Sequence, residues 1–281
     1  MDNSRSVAVI AVAYNSFDEI PAMAASLPEG VALQVVDNGP DDGLRAWAAA
    51  QGVPLIVPPQ NVGFGVGCNL GAEAVPEAAF YFFLNPDARL MPDTVAAFLA
   101  AAERYPAASA FGPEIRRPSG KPVSLRPSTL IRRGPQQPRK SFPDRDTQVP
   151  SLSGAALFVR AAAFRQVGGF DPGIFMYFED DDLTLRLARE VGPLYYIPAA
   201  KVTHAQDGSS PPSPELARFK GYHYARSQIY MLRKLGRRAP FLTGLASALR
   251  RCLSLRLWMP FGARKHHYAL GRLQGAWSMR R

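Results

Sequence analysis

The chain has 281 residues, 47% of them hydrophobic, with 33 Lys and Arg against 23 Asp and Glu, a formal charge of +10; it has room for one large domain, or one domain with an appendage. Two cysteines, Cys68 and Cys252, exclude a disulfide framework and fit a reducing compartment. No stretch reaches the ~18 apolar residues of a membrane span, and the apolar run Val7–Ala13 is too short for a signal peptide, so a cytoplasmic protein, soluble or peripheral, is expected.

In chain order, Val7–Ala13 reads as a strand buried on both faces of a parallel sheet. A helix follows around Ala22–Leu27, then a strand at Val31–Val36, a helix at Leu44–Ala50 and a strand at Pro54–Val57. The Gly-rich stretch 61–71 leads into another helix, Ala79–Leu84 is a fourth strand, and Thr94–Arg104 is helical. Alternation of strand and helix predicts an α/β fold with a mostly parallel, Rossmann-like sheet. Residues 113–150 are Pro-rich, with nine Lys or Arg from Arg116 to Arg145, and read as a long loop. A substrate-covering flap and a solvated insertion are both open readings. Ser153–Val159 resumes an apolar run, Ala161–Val167 is a short helix, and Leu183, Leu187 and Val191 mark a helix ending at Gly192 before a strand at Leu194–Ile197.

Past Pro211-Pro212 the pattern turns helical and basic, which divides the chain into an α/β domain, 1–212, and a C-terminal appendage, 213–281. Residues 216–281 hold 15 Lys and Arg and no acid, leaving 18 basic and 23 acidic residues, a net of −5, in 1–215. Leu242, Leu245, Leu249 and Leu253 share one face, flanked by Arg250, Arg251 and Arg256. That composition suits an anionic membrane surface, with packing on the α/β domain as the other reading. No recognised nucleic-acid motif is present, and nucleic acid is not an expected partner.

Ligands of open α/β sheets bind beyond the carboxyl ends of the strands, and Asn15, Asp37 and Asp87 all stand there. The stretch from Asn61 to Gly71 offers small residues and backbone amides before a helix, which suits a phosphate or simply a tight turn. It fails both the dinucleotide fingerprint and the phosphate-loop pattern. Glu179 to Asp182 are four consecutive acids at a helix start, read either as caps or as chemistry. Asp87 with His204 would suit Mn²⁺ or Mg²⁺ better than zinc.

The motifs occur in a recognisable order. Tyr14-Asn15 follows the first strand and Asp37-Asn38 the second; then come Asn61, Gly63, Phe64, Gly65, Gly67, Asn69 and Gly71. Asn85-Pro86-Asp87, Ser153-Gly154-Ala155, Gly168 to Asp171, Phe178 to Leu183, and Pro198 with His204 complete it. Over about residues 6–235 this closely resembles family 2 glycosyltransferases, particularly the rhamnosyltransferase-like bacterial branch. The resemblance implies a GT-A fold and inverting transfer from a nucleotide-diphosphate sugar, with dTDP-rhamnose as first candidate, to a glycan or lipid-linked acceptor in cell-surface polysaccharide synthesis. A catalytically inactive carbohydrate- or nucleotide-binding relative is the alternative.

The resemblance also implies residue roles. Asp37 matches the nucleobase contact, and Asp180 the general base, with Glu179 and Asp182 its neighbours. Ala13, Tyr14, Asn15, Asn38, Asn61, Gly63, Phe64, Gly67, Asn69, Asn85 and Asp87 complete the nucleotide-sugar site. Asp87 and His204 match the ligands of a divalent cation. Asn85 stands where the first acid of Asp-x-Asp is expected, which removes one charge from that site.

Overall fold

The computed structural model describes residues 6–39, 41–125, 128–130, 141–205, 213–253 and 263–280. They form two compact units, one of residues 1–171 with 180–210, the other of 172–179 with 211–281.

The first unit is built on one sheet. In chain order it runs β1 (Val7–Ala13), α1 (Ile20–Ala25), β2 (Ala32–Asp37), α2 (Asp42–Gln51), β3 (Leu55–Ile56), α3 (Phe64–Glu73), β4 (Phe80–Leu84), β5 (Ala88–Leu90) and α4 (Thr94–Arg104). There follow β6 (Ala110–Arg116), β7 (Thr147–Val149), β8 (Ala156–Arg160), α5 (Ala161–Gln166), α6 (Glu179–Glu190) and β9 (Leu194–His204). Spatial order is β3-β2-β1-β4-β8-β6-β9-β5, with β7 also on β9. The expected parallel pairing holds for β3-β2-β1-β4. Beyond β4 the sheet is mixed: β8 is antiparallel to β4 and β6, β9 is parallel to β6, and β5 and β7 are antiparallel to β9. The departure arises because β5 and β7 are three-residue strands, and β6 contains Gly112-Pro113, so none shows a strand pattern.

β1 explains the two-sided core. Val7, Val9, Ala11 and Ala13 face a cluster with Ile20, Phe82 and Phe98, while Ala8, Ile10 and Val12 face Cys68, Phe83 and Leu187. Period-two alternation thus serves two apolar layers, and the strand reads as unbroken apolar sequence. The strand expected at Leu194–Ile197 runs on to His204. Its ladder with β6 shifts register between Pro113 and Glu114, passing over Pro198, Ala199 and Ala200. Pro198 has no N–H to offer, so pairing breaks there and resumes at Lys201.

The second unit holds α7 (Pro214–Lys234), α8 (Pro240–Cys252) and α9 (Ala263–Ser278). Ser213 caps α7, accepting from the Leu216 N–H. α7 and α9 meet backbone to backbone: a Cβ on Gly221 would stand 2.1 Å from the Tyr268 carbonyl oxygen, and one on Gly271 2.0 Å from that of Arg218. α8 packs through Gly244 and Ala248, against Ile229 of α7. Of the expected leucine face, Leu245 joins this core, whereas Leu242, Leu249 and Leu253 are 61%, 45% and 79% exposed. Arg256, expected to flank that face, lies outside the described residues.

Candidate active site

At the end of β1, Tyr14 and Asn15 are exposed, and Asn15 takes a left-handed φ of 50°. At the end of β2, Asp37 is buried; its Oδ1 accepts from the Gly39 N–H at 3.0 Å and its Oδ2 from Arg45 Nε at 3.1 Å. Asn38 is a staple: Nδ2 donates to the Gly63 carbonyl and Oδ1 accepts from the Val62 N–H. Asn61 Oδ1 takes the Gly63 N–H, and the Gly67 N–H goes to the Gly63 carbonyl. Two amides expected to face a phosphate are therefore bonded within the protein.

The glycines of α3 answer chiefly to packing. A Cβ on Gly67 would stand 2.8 Å from Val12 Cγ1, and one on Gly71 2.5 Å from Ile10 Cγ2. Asn69 grips the Phe170 backbone at both its N–H and its carbonyl, at 2.8 and 2.9 Å, while the Phe64 ring meets that of Phe170 edge-on. These five residues, Asn38, Asn61, Gly63, Gly67 and Asn69, hold the strand ends in place.

The chemistry gathers beyond β4. Asn85 follows that strand directly, and the short β5 pairs with β9 so that Ala88 lies opposite His204. His204 Nε2 is then 3.0 Å from Asp87 Oδ1 and 3.3 Å from Asn85 Nδ2. Asn85 also donates its N–H to the Ala155 carbonyl, which ties this corner to the turn before β8. In that turn the Gly154 N–H donates to Asp180 Oδ2 at 2.8 Å, and Asp180 Oδ1 accepts from the Asp181 N–H at 2.8 Å. Asp180, Asp181 and His204 all open on one cavity of about 630 Å³, whose apolar wall includes Ile115, Leu125 and Leu152. Described residues of the 113–150 segment line it, and Ser128 Oγ donates to Asp181 Oδ2 at 2.7 Å.

Burial sets the electrostatics. It pushes the Asp180 carboxyl above the usual range, against the backbone N–H groups of Gly154, Asp181 and Asp180 itself that stabilise its anion. Burial and then the neighbouring Asp180 charge push Asp181 up to about 7, with the Ser128 hydroxyl opposing. Asp182, expected beside the base, turns elsewhere. Two residues along a helix is about 200° around it, and Asp182 is buried in an ion pair with Arg186 at 2.7 Å. Arg186 in turn donates to the Val167 and Gly169 carbonyls. Asp181 was hidden in the sequence inside a run of like acids, because no pattern fixes which faces inward. Glu179 is the first residue of α6 and partly buried.

Asp87 and His204 could together hold a divalent cation, His204 Nε2 standing 3.0 Å from Asp87 Oδ1, which is also hydrogen-bond distance. Among the described residues no group of three His, Cys, Asp or Glu forms a closed metal cage, in keeping with the neutral Asn85 at this corner.

Residues 8–168 match the model of glycosyl transferase family 2. The chain belongs to that family. It is 33% identical over 257 residues to the N-acetylglucosaminyl-diphospho-decaprenol L-rhamnosyltransferase of Mycobacterium tuberculosis H37Rv, covering 79% of this chain and 83% of the relative. Among solved structures, the mannosyltransferase PcManGT of Pyrobaculum calidifontis, in complex with GDP-Man and Mn²⁺, superposes with a TM-score of 0.57 at 15% identity over 97% of this chain and 87% of its own. Staphylococcus aureus TarS 1–349 gives 0.56 at 13% identity, over 97% and 91%. The fold is GT-A, and this glycosyltransferase falls in the rhamnosyltransferase-like branch.

Proposed function

We propose that this glycosyltransferase moves rhamnose, with inversion, from dTDP-rhamnose to a hydroxyl of a lipid-linked glycan, at the inner face of a bacterial cytoplasmic membrane. The observation that carries the reading is the opening of Asp180 and His204 onto one cavity. The mycobacterial relative, whose name gives a rhamnosyl donor group and a diphospho-decaprenol acceptor, supports the choice of sugar and acceptor.

Asp180 takes the proton of the acceptor hydroxyl as that oxygen bonds to the anomeric carbon; the bond to the nucleotide phosphate breaks on the opposite face. A carboxyl raised by burial is a stronger base than an exposed one, and the Gly154 and Asp181 N–H groups keep both its oxygens oriented. Asp87 and His204 would hold Mn²⁺ or Mg²⁺, with Asn85 as neutral neighbour. When bound, that ion neutralises charge growing on the departing diphosphate. Asp37, Tyr14 and Asn15 stand at the strand ends where the nucleotide would lie.

The test compares transfer with donor affinity. Asp180→Asn should lower turnover about 10²–10⁴-fold and leave dTDP-sugar affinity nearly unchanged. Asn caps helices about as well as Asp, so a variant with wild-type turnover would reduce Asp180 to a cap. dTDP should bind more tightly with Mn²⁺ than with EDTA, and Asp87→Ala should erase the difference. A wild-type chain that binds the donor yet neither transfers nor hydrolyses it, with or without Mn²⁺, would favour an inactive binding relative.

A further inference from the structure

The rotation of α6 is set within the first unit: Leu183 and Leu187 are buried in the apolar cluster of Ile10 and Val12, and Asp182 is paired with Arg186. With the helix so fixed, Asp180 and Asp181 both line the cavity of about 630 Å³. They are held in different ways. Each oxygen of Asp180 accepts a backbone N–H, from Asp181 and from Gly154. Asp181 is anchored through one oxygen. Its Oδ2 accepts from Ser128 Oγ at 2.7 Å, and that Oγ is itself fixed by the Leu130 N–H at 3.1 Å. Among the described residues Asp181 Oδ1 has no hydrogen-bond partner, and it is not sealed off from water.

A helix cap does not account for this arrangement. Burial raises the Asp181 carboxyl to about 7, so its ionisation near neutral pH works against folding. A carboxyl held at one oxygen, with the other free in a cavity, is poised for a ligand. The lining also says which kind. Ile115, Leu125 and Leu152 give an apolar surface, and Asp180 and Asp181 give acceptors for hydroxyls. A pyranose carries both a C–H face and a rim of adjacent hydroxyls.

We propose that Asp181 is a specificity-determining residue for the acceptor: with Ser128 holding Oδ2, its Oδ1 accepts a hydrogen bond from a sugar hydroxyl beside the one that reacts at Asp180. Asp181 thereby selects which hydroxyl is glycosylated. This rests on Asp180 being the base and on the lipid-linked glycan acceptor proposed above.

The test uses the full chain with dTDP-rhamnose. The acceptor probe is N-acetylglucosaminyl diphosphate on a short prenol, the group in the mycobacterial relative's name, together with its monodeoxy analogues. Asp181→Ala should lower acceptor kcat/KM about tenfold or more, the scale of a hydrogen bond to a charged group, while donor affinity stays within about twofold. Asp181→Asn should fall between alanine and wild type. One analogue that keeps the reacting hydroxyl should be disfavoured about tenfold or more by wild type, because its missing hydroxyl leaves the carboxyl without a partner. Asp181→Ala should disfavour the same analogue less than about twofold, a coupling that a merely structural acid would not produce. Equal discrimination by wild type and Asp181→Ala against every analogue, or donor affinity lost in parallel with transfer, would overturn the acceptor role. Asp180→Asn measured alongside separates the claims. If it keeps full transfer, the base assignment fails and this contact with it; if it is inactive while Asp181→Ala matches wild type, the contact alone fails. A wild-type chain that transfers to none of these acceptors would overturn the acceptor reading and the contact together.

Discussion

Three neighbouring acids on α6 meet three different fates. Asp180 is held by backbone N–H groups, Asp181 by a serine hydroxyl, and Asp182 by an arginine. Asp181 carries the clearest pH signature. Its carboxyl is raised to about 7 in the fold from a usual value of 3.8. Between those values the folded chain keeps a proton that the unfolded chain has released, so stability falls as pH rises through that window. Asp181→Asn removes the ionisation while leaving an oxygen for Ser128. The variant should therefore gain stability over wild type at pH 8, of the order of 1–3 kcal/mol, and lose that advantage near pH 4. Chemical denaturation at the two pH values measures this.

At the scale of elements, the glycines of α3 have a packing role whatever else they do. Gly71→Ala gains helix propensity, about 1 kcal/mol, but forces a Cβ to within 2.5 Å of Ile10 Cγ2 on the facing strand. Overpacking costs typically 1–3 kcal/mol, and β1 is buried on both faces and has little room to yield. The expected net is a loss of about 1–2 kcal/mol; Ile10→Ala alone costs more, about 2–5 kcal/mol, so relief of the clash should show as a double variant less destabilised than the sum of the two singles, and melts of all four proteins of the cycle check this. The same element shows what the sequence could reveal. Thr94–Arg104 and the central strands are legible, because long apolar periodicity leaves one choice of element. Asn69 is legible as important but not in kind: its partner Phe170 lies 101 residues away, and no local pattern announces a long-range clamp. β5 is three residues long, yet its pairing with β9 brings His204 beside Asp87. Asp87 and His204 were legible in the sequence as candidate ligands, whereas their geometry depends on a strand too short to show periodicity. The left-handed backbone of Tyr177 and Phe178 gave no signal, since aromatic residues are the last expected at positive φ.

Across the whole molecule, charge and apolar exposure concentrate together. Residues 1–215 carry a net charge of −5 and residues 216–281 carry 15 basic residues without an acid. No helix among the described residues is long and apolar enough to cross a membrane. Packing α8 by its glycine and alanine face leaves Leu242, Leu249 and Leu253 in water beside Arg250 and Arg251. Each exposed leucine returned to an apolar phase is worth up to about 1.5–3 kcal/mol, and each cation near an anionic leaflet about 1 kcal/mol, screened beyond roughly 8–10 Å. Such a face suits the anionic membrane surface proposed above. The full chain should float with vesicles containing anionic lipid at low salt, and less at 0.5 M NaCl. Replacing Leu242, Leu249 and Leu253 together with serine should abolish flotation while leaving the melting temperature nearly unchanged, because none of the three is in the helical core. Transfer to a short soluble acceptor should be unaffected, whereas transfer to a lipid-linked acceptor in vesicles should drop. Flotation of the triple variant equal to wild type would remove the leucine face from membrane attachment and leave the charge of the tail as its sole basis.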